Sequence, residues 1–113
     1  MTIHVFPTTT VGSLRGAFHA EFPRLSLRFF KNAHEKGQGS PLSDMIDDET
    51  ELSHWIDQGK ELDIDQSMTV DEVEKIFEQA GMHVQVFRKS GKLWLETTRT
   101  DDWTLERISN EEY

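Results

Sequence analysis

Alternating apolar and polar residues predict β-structure in the second half of the chain. Residues 62–65 read Leu-Asp-Ile-Asp, the pattern of a strand with one buried face. The alternation returns at residues 84–87 and 93–96, on either side of the turn residues Ser90 and Gly91. A turn between two alternating runs is typical of a β-hairpin. We therefore expect two antiparallel strands near the C-terminus.

A helix is predicted between the first of these strands and the hairpin. Thr69 stands three residues before Glu72, which is the spacing of a capping box at a helix N-terminus. Gly81 follows the helical stretch, and glycine readily takes the left-handed conformation that ends many helices. Apolar residues between these two signals keep helical spacing: Val70, Val73, Ile76, Phe77 and Ala80.

The first half of the chain repeats the same order of apolar positions. Because internal repeats indicate duplicated supersecondary units, we expect one domain, residues 1–113, with repeats at 1–59 and 60–113. A shift of 59 positions aligns Ile3 with Leu62, Val5 with Ile64, Thr10 with Thr69, Val11 with Val70, Leu14 with Val73, Phe18 with Phe77, Leu25 with Val84 and Leu27 with Val86, and a shift of 53 aligns Asp48 with Asp101 and Leu52 with Leu105.

These two strand-helix-strand modules predict the fold class. An α+β domain can bury both modules by forming one antiparallel sheet with both helices on one face, as in ferredoxin-like folds. The hairpin adds an extra C-terminal strand to that sheet. Residues 32–60 join the modules, and Leu52, Trp55 and Ile56 within them fit either a short helix or a turn packed on the sheet edge.

The charge distribution limits the kinds of partner. The 113 residues carry a net charge of −9, and residues 44–65 hold nine carboxylates against Lys60 alone. Because such a surface repels phosphate, general binding to nucleic acids or anionic membranes is disfavoured. The chain has no cysteine, no leader-like N-terminus and no apolar run of roughly 18 residues. We therefore expect a soluble, cytoplasmic protein without disulfides.

The C-terminal part of the chain carries a distinctive series of residues. It reads Val-Phe-Arg-Lys-Ser-Gly at 86–91, Trp-Leu-Glu-Thr-Thr at 94–98 and Thr-Asp-Asp-Trp-Thr-Leu at 100–105. This series resembles the C-terminal signature of a small uncharacterised bacterial protein family, and the similarity extends back to the helix from Thr69. The resemblance implies a compact bacterial domain and no particular activity or functional residues.

Residues 63–74 place oxygen-bearing side chains at the spacing of a twelve-residue calcium loop. An EF-hand needs glycine where this chain has Met68. Thr69 and Glu72 are equally explained as a helix cap after a strand. A calcium-binding domain is therefore an alternative function, and no cofactor is expected otherwise. Its ligands would be Asp63, Asp65, Ser67, Asp71 and Glu74.

The sequence contains no recognisable catalytic motif. No two of the five histidines stand three or four positions apart, as metal ligands on one helix face would. Residues 39–41, Gly-Ser-Pro, lack the strand-nucleophile-helix context of a hydrolase serine. No catalytic residues are therefore assigned, and the chain is expected to be non-enzymatic.

The outward face of the predicted sheet is the expected binding surface. Aromatic side chains among polar groups mark such surfaces when they are exposed, and the alternative is that the linker or the tail covers them. RNA-recognition domains stack bases on a comparable face, which makes nucleic-acid binding a further alternative that the net charge opposes. The residues that strand alternation places on this outward face are Arg28, Phe30, Gln85, Phe87, Trp94 and Glu96.

Together these patterns favour a non-enzymatic interaction domain. The partner would be a protein of basic character, which the acidic surface attracts, or a second copy of the chain in a homodimer. No membrane partner is expected.

Overall fold

The chain folds as an α+β protein in a computed structural model that describes residues 1–31, 45–90, 93–96 and 102–110. Strands and helices alternate in both halves, as the hydrophobic pattern predicts. In chain order the elements are β1 (Thr2–Val5), α1 (Val11–Glu21), β2 (Leu25–Phe30), a 3-10 turn (Leu52–His54), β3 (Lys60–Asp63), α2 (Val70–Gln79), β4 (His83–Ser90), β5 (Leu93–Glu96) and α3 (Leu105–Asn110).

Both long helices begin at a threonine cap. The Thr69 hydroxyl accepts a hydrogen bond from the Glu72 backbone N–H at 3.1 Å, and the Glu72 carboxylate accepts one from the Thr69 N–H at 3.2 Å. The predicted capping box is therefore confirmed. Thr10 caps α1 through its hydroxyl, which accepts from the Ser13 N–H. After α2, Gly81 adopts a φ of 94°, the left-handed conformation expected there.

In the described part of the chain the strands form two antiparallel sheets, which corrects the expectation of a single sheet. β1 pairs with β3 in one sheet, and the other has the order β2-β4-β5. The physical reason is that each strand of a module pairs with a strand of the other half rather than with the second strand of its own module. The strands therefore divide into two separate ladders. The predicted C-terminal hairpin is confirmed, because β5 runs antiparallel to β4.

Each ladder between the halves contains one pair of facing residues that lie 59 positions apart. Ile3 stands opposite Leu62 in the β1–β3 ladder. Leu27 stands opposite Val86 in the β2–β4 ladder. Two antiparallel ladders that both place counterpart residues face to face have the register that an approximate twofold axis requires.

The segment after each module returns to the start of its own helix. The Leu52 N–H donates to the Thr9 carbonyl at 2.8 Å, and the Leu105 N–H donates to the Met68 carbonyl at 2.9 Å. Both leucines are fully buried. Residues 52–56 therefore contain a short 3-10 helix, the 3-10 turn of Leu52–His54, whose apolar residues enter the core. Of the two forms that the sequence left open, the structure has the short helix.

One hydrophobic core lies between the helices and both sheets. α1 packs against β2, and α2 packs against β4. Phe29 of β2 meets Phe77 of α2 edge to face, with 6.0 Å between ring centroids. The largest apolar side chains of this core that are almost fully buried are Leu14, Phe18, Leu25, Leu27, Phe29, Leu52, Ile64, Phe77, Met82 and Leu105.

We predict that Leu52→Ala and Leu105→Ala each lower the free energy of unfolding by about 2–5 kcal/mol, because each leaves a cavity in the core. Chemical denaturation measures the change. Met45→Ala serves as the control, since Met45 is 40% exposed and should shift stability by no more than about 0.5 kcal/mol. A loss at Leu52 as small as that of the control would contradict the placement of the 3-10 turn in the core.

Candidate binding groove

The outer edge of β2 is covered by side chains of α1. An edge strand presents unpaired backbone groups, which invite non-native strand pairing unless they are bonded or covered. Here three successive outward-facing carbonyls of β2 find partners within the described part of the chain. Arg15 Nε donates to the Leu27 carbonyl, His19 Nδ1 lies 2.9 Å from the Leu25 carbonyl oxygen, and the Ile46 N–H donates to the Phe29 carbonyl at 2.7 Å.

Arg15 is held in place by further contacts. Its Nη1 lies 2.6 Å from Asp48 Oδ1 in a salt bridge, and Nη2 lies 3.4 Å from Ser26 Oγ. With the bond to the Leu27 carbonyl, the guanidinium therefore has three partners. Arg15 joins α1, β2 and the segment around Asp48, so we assign it a structural role at the edge of the sheet.

Arg28 differs from Arg15 in the contacts of its guanidinium. Its side chain is half-buried on the outer face of β2, and within the described residues its guanidinium makes no hydrogen bond or ion pair. Burial, and next the positive charge of Arg15, lower the pKa of the Arg28 guanidinium, and the Asp48 carboxylate offsets this only in part. A guanidinium in this position is incompletely compensated and would be stabilised by an added anion.

Arg28 borders a groove between α1 and the outer face of the sheet. The groove has a volume of about 280 Å³. Its floor on the helix side is open, because a Cβ added to Gly16 would meet no atom within 4 Å. Trp94 of β5 borders it, with its ring edge-on to His19 at 5.9 Å between centroids. We call it the Arg28 groove; its lining residues are Gly12, Arg15, Gly16, His19, Ser26, Arg28 and Trp94.

A second hollow adjoins the Arg28 groove. It has a volume of about 390 Å³ and shares Arg15 and Arg28 with the groove. Three carboxylates also border it, those of Asp47, Asp48 and Glu49. The two arginines therefore separate a glycine-floored groove from an acidic hollow.

The structure corrects the expected exposure of the outer sheet face. Phe30 and Gln85 are fully buried, and Phe87 is only 8% exposed. Alternation along a strand determines the direction of a side chain, but it does not determine whether that side is covered, and β2 is largely buried on both faces. Arg28 and Trp94 are partly exposed. Glu96 lies opposite Phe87 in the ladder, and its side chain is outside the described part of the structure.

The side chains of the predicted calcium loop do not converge. Glu74 is buried and turned towards β4, and the other acidic residues have separate partners. Within the described ranges, no group of three or more His, Asp or Glu side chains could hold a metal ion. The contacts are Thr2 Oγ1 to Asp63 at 2.6 Å, Ser67 N–H to Asp65 at 3.0 Å, Lys75 to Asp71 at 3.1 Å and Val86 N–H to Glu74 at 3.0 Å.

The helix side of the groove was not predicted from the sequence. Gly12, Arg15, Gly16 and His19 are spaced three, one and three residues apart, which places all four on one face of α1. This face is separate from the apolar stripe of the helix, and two glycines flanking an arginine on a polar helix face are a signal that could have indicated a groove.

Neither a family model, nor a curated protein, nor a solved structure matches the chain. Among the helices in the described part of the chain, none combines the length and apolar character needed to cross a membrane.

We predict that the same substitution affects stability differently at Arg15 and Arg28. Arg15→Met removes three polar contacts and should lower the free energy of unfolding by roughly 1–3 kcal/mol. Arg28→Met removes a charge that has no partner among the described residues and keeps most of the aliphatic stem, so stability should stay within about 0.5 kcal/mol of wild type or increase. Urea denaturation distinguishes the two results. An equal loss for both variants would show that Arg28 stabilises the fold and is not available for a ligand.

Proposed function

We propose that this chain is a non-enzymatic interaction domain that binds a segment of a protein partner in the Arg28 groove. One observation carries the proposal: a half-buried guanidinium without a partner in the described structure lines an open groove beside a partly exposed tryptophan. Tryptophan and arginine are the residues most enriched where binding energy is concentrated in protein interfaces.

The polar contacts in the groove favour binding over catalysis. Ser26 Oγ lies near Arg15, and His19 Nδ1 lies against a backbone carbonyl. Nucleophilic catalysis needs a hydroxyl within hydrogen-bond reach of a base, and Ser26 and His19 form no such bond in the described structure. Both side chains instead hold the wall of the groove in place.

The burial of the outer face also favours protein over nucleic acid. Base stacking needs exposed aromatic rings, whereas Phe30 and Phe87 are buried and leave Trp94 as the partly exposed ring of that trio. The net charge of −9 opposes a polyanion in addition. Outside the groove, the acidic surface favours a partner whose contacting residues are basic. A second copy of the chain is another candidate occupant of the groove, and light scattering would reveal it.

We also propose that residues 1–59 and 60–113 derive from one duplicated module. Three observations support this. Residues 59 apart pair face to face in both ladders between the halves. Threonine caps stand 59 apart at both long helices. The segment after each module bonds to the residue before its own cap.

The proposed function predicts a specific loss of binding in Trp94→Ser. Random 12-residue peptides displayed on phage are selected on the immobilised protein, and those that bind are synthesised and titrated by calorimetry. Because a tryptophan at the centre of an interface typically contributes 2 kcal/mol or more, we expect Trp94→Ser to weaken binding at least about tenfold.

Phe6→Ser is the matched control, because Phe6 is 55% exposed and does not line the groove. Circular dichroism verifies that both variants are folded. If the selected peptides bind Trp94→Ser as tightly as wild type, or if no peptide is enriched, the groove is not the interaction site that we propose.

A further inference from the structure

We propose that the Arg28 groove recognises a carboxylate group, an Asp or Glu side chain or a chain terminus of the partner, with Arg28 as its ligand. The inference rests on the proposed function and specifies the chemistry that the groove would select.

In the described structure, Arg28 is the guanidinium of the groove whose N–H donors are available. The neighbouring Arg15 guanidinium is already bonded to the Leu27 carbonyl, Ser26 and Asp48, whereas Arg28 has no partner in the described structure. A guanidinium presents its N–H groups in a planar fork that matches the two oxygens of a carboxylate. Arg28 therefore offers an unused bidentate site, and the fixed positive charge of Arg15 lies close enough to disfavour Arg28 when it is left unpaired.

The charges around the groove favour a carboxylate over a phosphate group. Asp47, Asp48 and Glu49 border the hollow on the other side of the two arginines. Arg15 is also partly neutralised by its salt bridge to Asp48. A dianion would meet these carboxylates with one uncompensated guanidinium in its favour, whereas a single negative charge matches Arg28 alone. The net charge of −9 acts in the same direction.

The shape of the groove also favours an amino-acid carboxylate. A Cβ added to Gly16 would meet no atom within 4 Å, so an incoming main chain could approach α1 closely at that position. Gly12 is already covered by Asp48, whose Cβ lies 2.9 Å from where a Cβ of residue 12 would stand. Trp94 provides an apolar wall opposite. A carboxylate on a short side chain would thus reach Arg28 while the adjoining backbone lies over Gly16, which is why we expect an amino-acid carboxylate rather than a free inorganic ion.

The test uses two probe peptides that differ in one functional group. Ac-Gly-Asp-Gly-NH₂ and Ac-Gly-Asn-Gly-NH₂ are titrated into ¹⁵N-labelled protein while the arginine Nε–H resonances are recorded. Because a hydrogen bond to a charged group is about twice as strong as a neutral one, we expect the Asp peptide to shift the Arg28 resonance saturably, with at least about tenfold higher affinity than the Asn peptide.

Two variants test whether the Asp peptide binds in the Arg28 groove. Arg28→Gln should abolish saturable binding of the Asp peptide. Gly16→Met fills the open floor but keeps Arg28, and it should weaken binding at least about tenfold without unfolding α1, because methionine is a better helix former than glycine. Arg24→Gln is the matched control, since Arg24 is exposed and lies outside the groove, and it should bind like wild type.

Three results would overturn the carboxylate proposal: equal affinity for both peptides, the same shift from sodium chloride at matched ionic strength, or inorganic phosphate binding at least as tightly as the Asp peptide. These outcomes are distinguishable from failure of the proposed function. Phage-selected peptides that require Trp94 but tolerate Arg28→Gln would support the interaction domain and reject carboxylate recognition. Saturable binding of the Asp peptide, without any selected peptide that requires Trp94, would support carboxylate recognition and reject the interaction domain.

Discussion

The pairing of strands from opposite halves of the chain is the constraint on which the rest of the structure depends. β1 finds its partner in β3, and β2 finds its partner in β4. Since a two-stranded ribbon is marginally stable alone, the halves must fold together around one core. The same pairing makes β2 an edge strand. Its outer carbonyls then need donors, which α1 supplies through Arg15 and His19 and which bring the polar face of that helix beside Arg28.

Features that depend on neighbouring residues were predictable from the sequence. The capping box at Thr69 and Glu72, the left-handed Gly81 and the hairpin of β4 and β5 all follow from residues close together in the chain. The division into two sheets was not predictable in this way. It depends on which strands pair across about 60 positions, and the alternation within a strand contains no information about its partner.

The candidate site shows the same limit at the level of side chains. Arg28 and Trp94 could be placed on the outer face from strand parity, but the burial of Phe30, Gln85 and Phe87 could not, because parity determines direction and not coverage. The helix side of the groove was overlooked because Arg15 and His19 act on backbone carbonyls of another element. Such contacts leave no spacing signal in the sequence beyond their common helix face.

The two halves differ at the positions that form the groove. Arg15 donates to the Leu27 carbonyl, and Glu74, 59 positions later, accepts from the N–H of Val86, the counterpart of Leu27. In both halves a helix side chain thus bonds to the backbone of the neighbouring strand. The side chain is the donor in the first half and the acceptor in the second. The rest of the groove is not reproduced: Arg28 corresponds to the buried Phe87, and Gly12 and Gly16 correspond to Asp71 and Lys75, which form a salt bridge at 3.1 Å. The second half fills these positions with an internal ion pair and an aromatic ring, whereas the first half has two glycines and an arginine that makes no hydrogen bond or ion pair within the described residues.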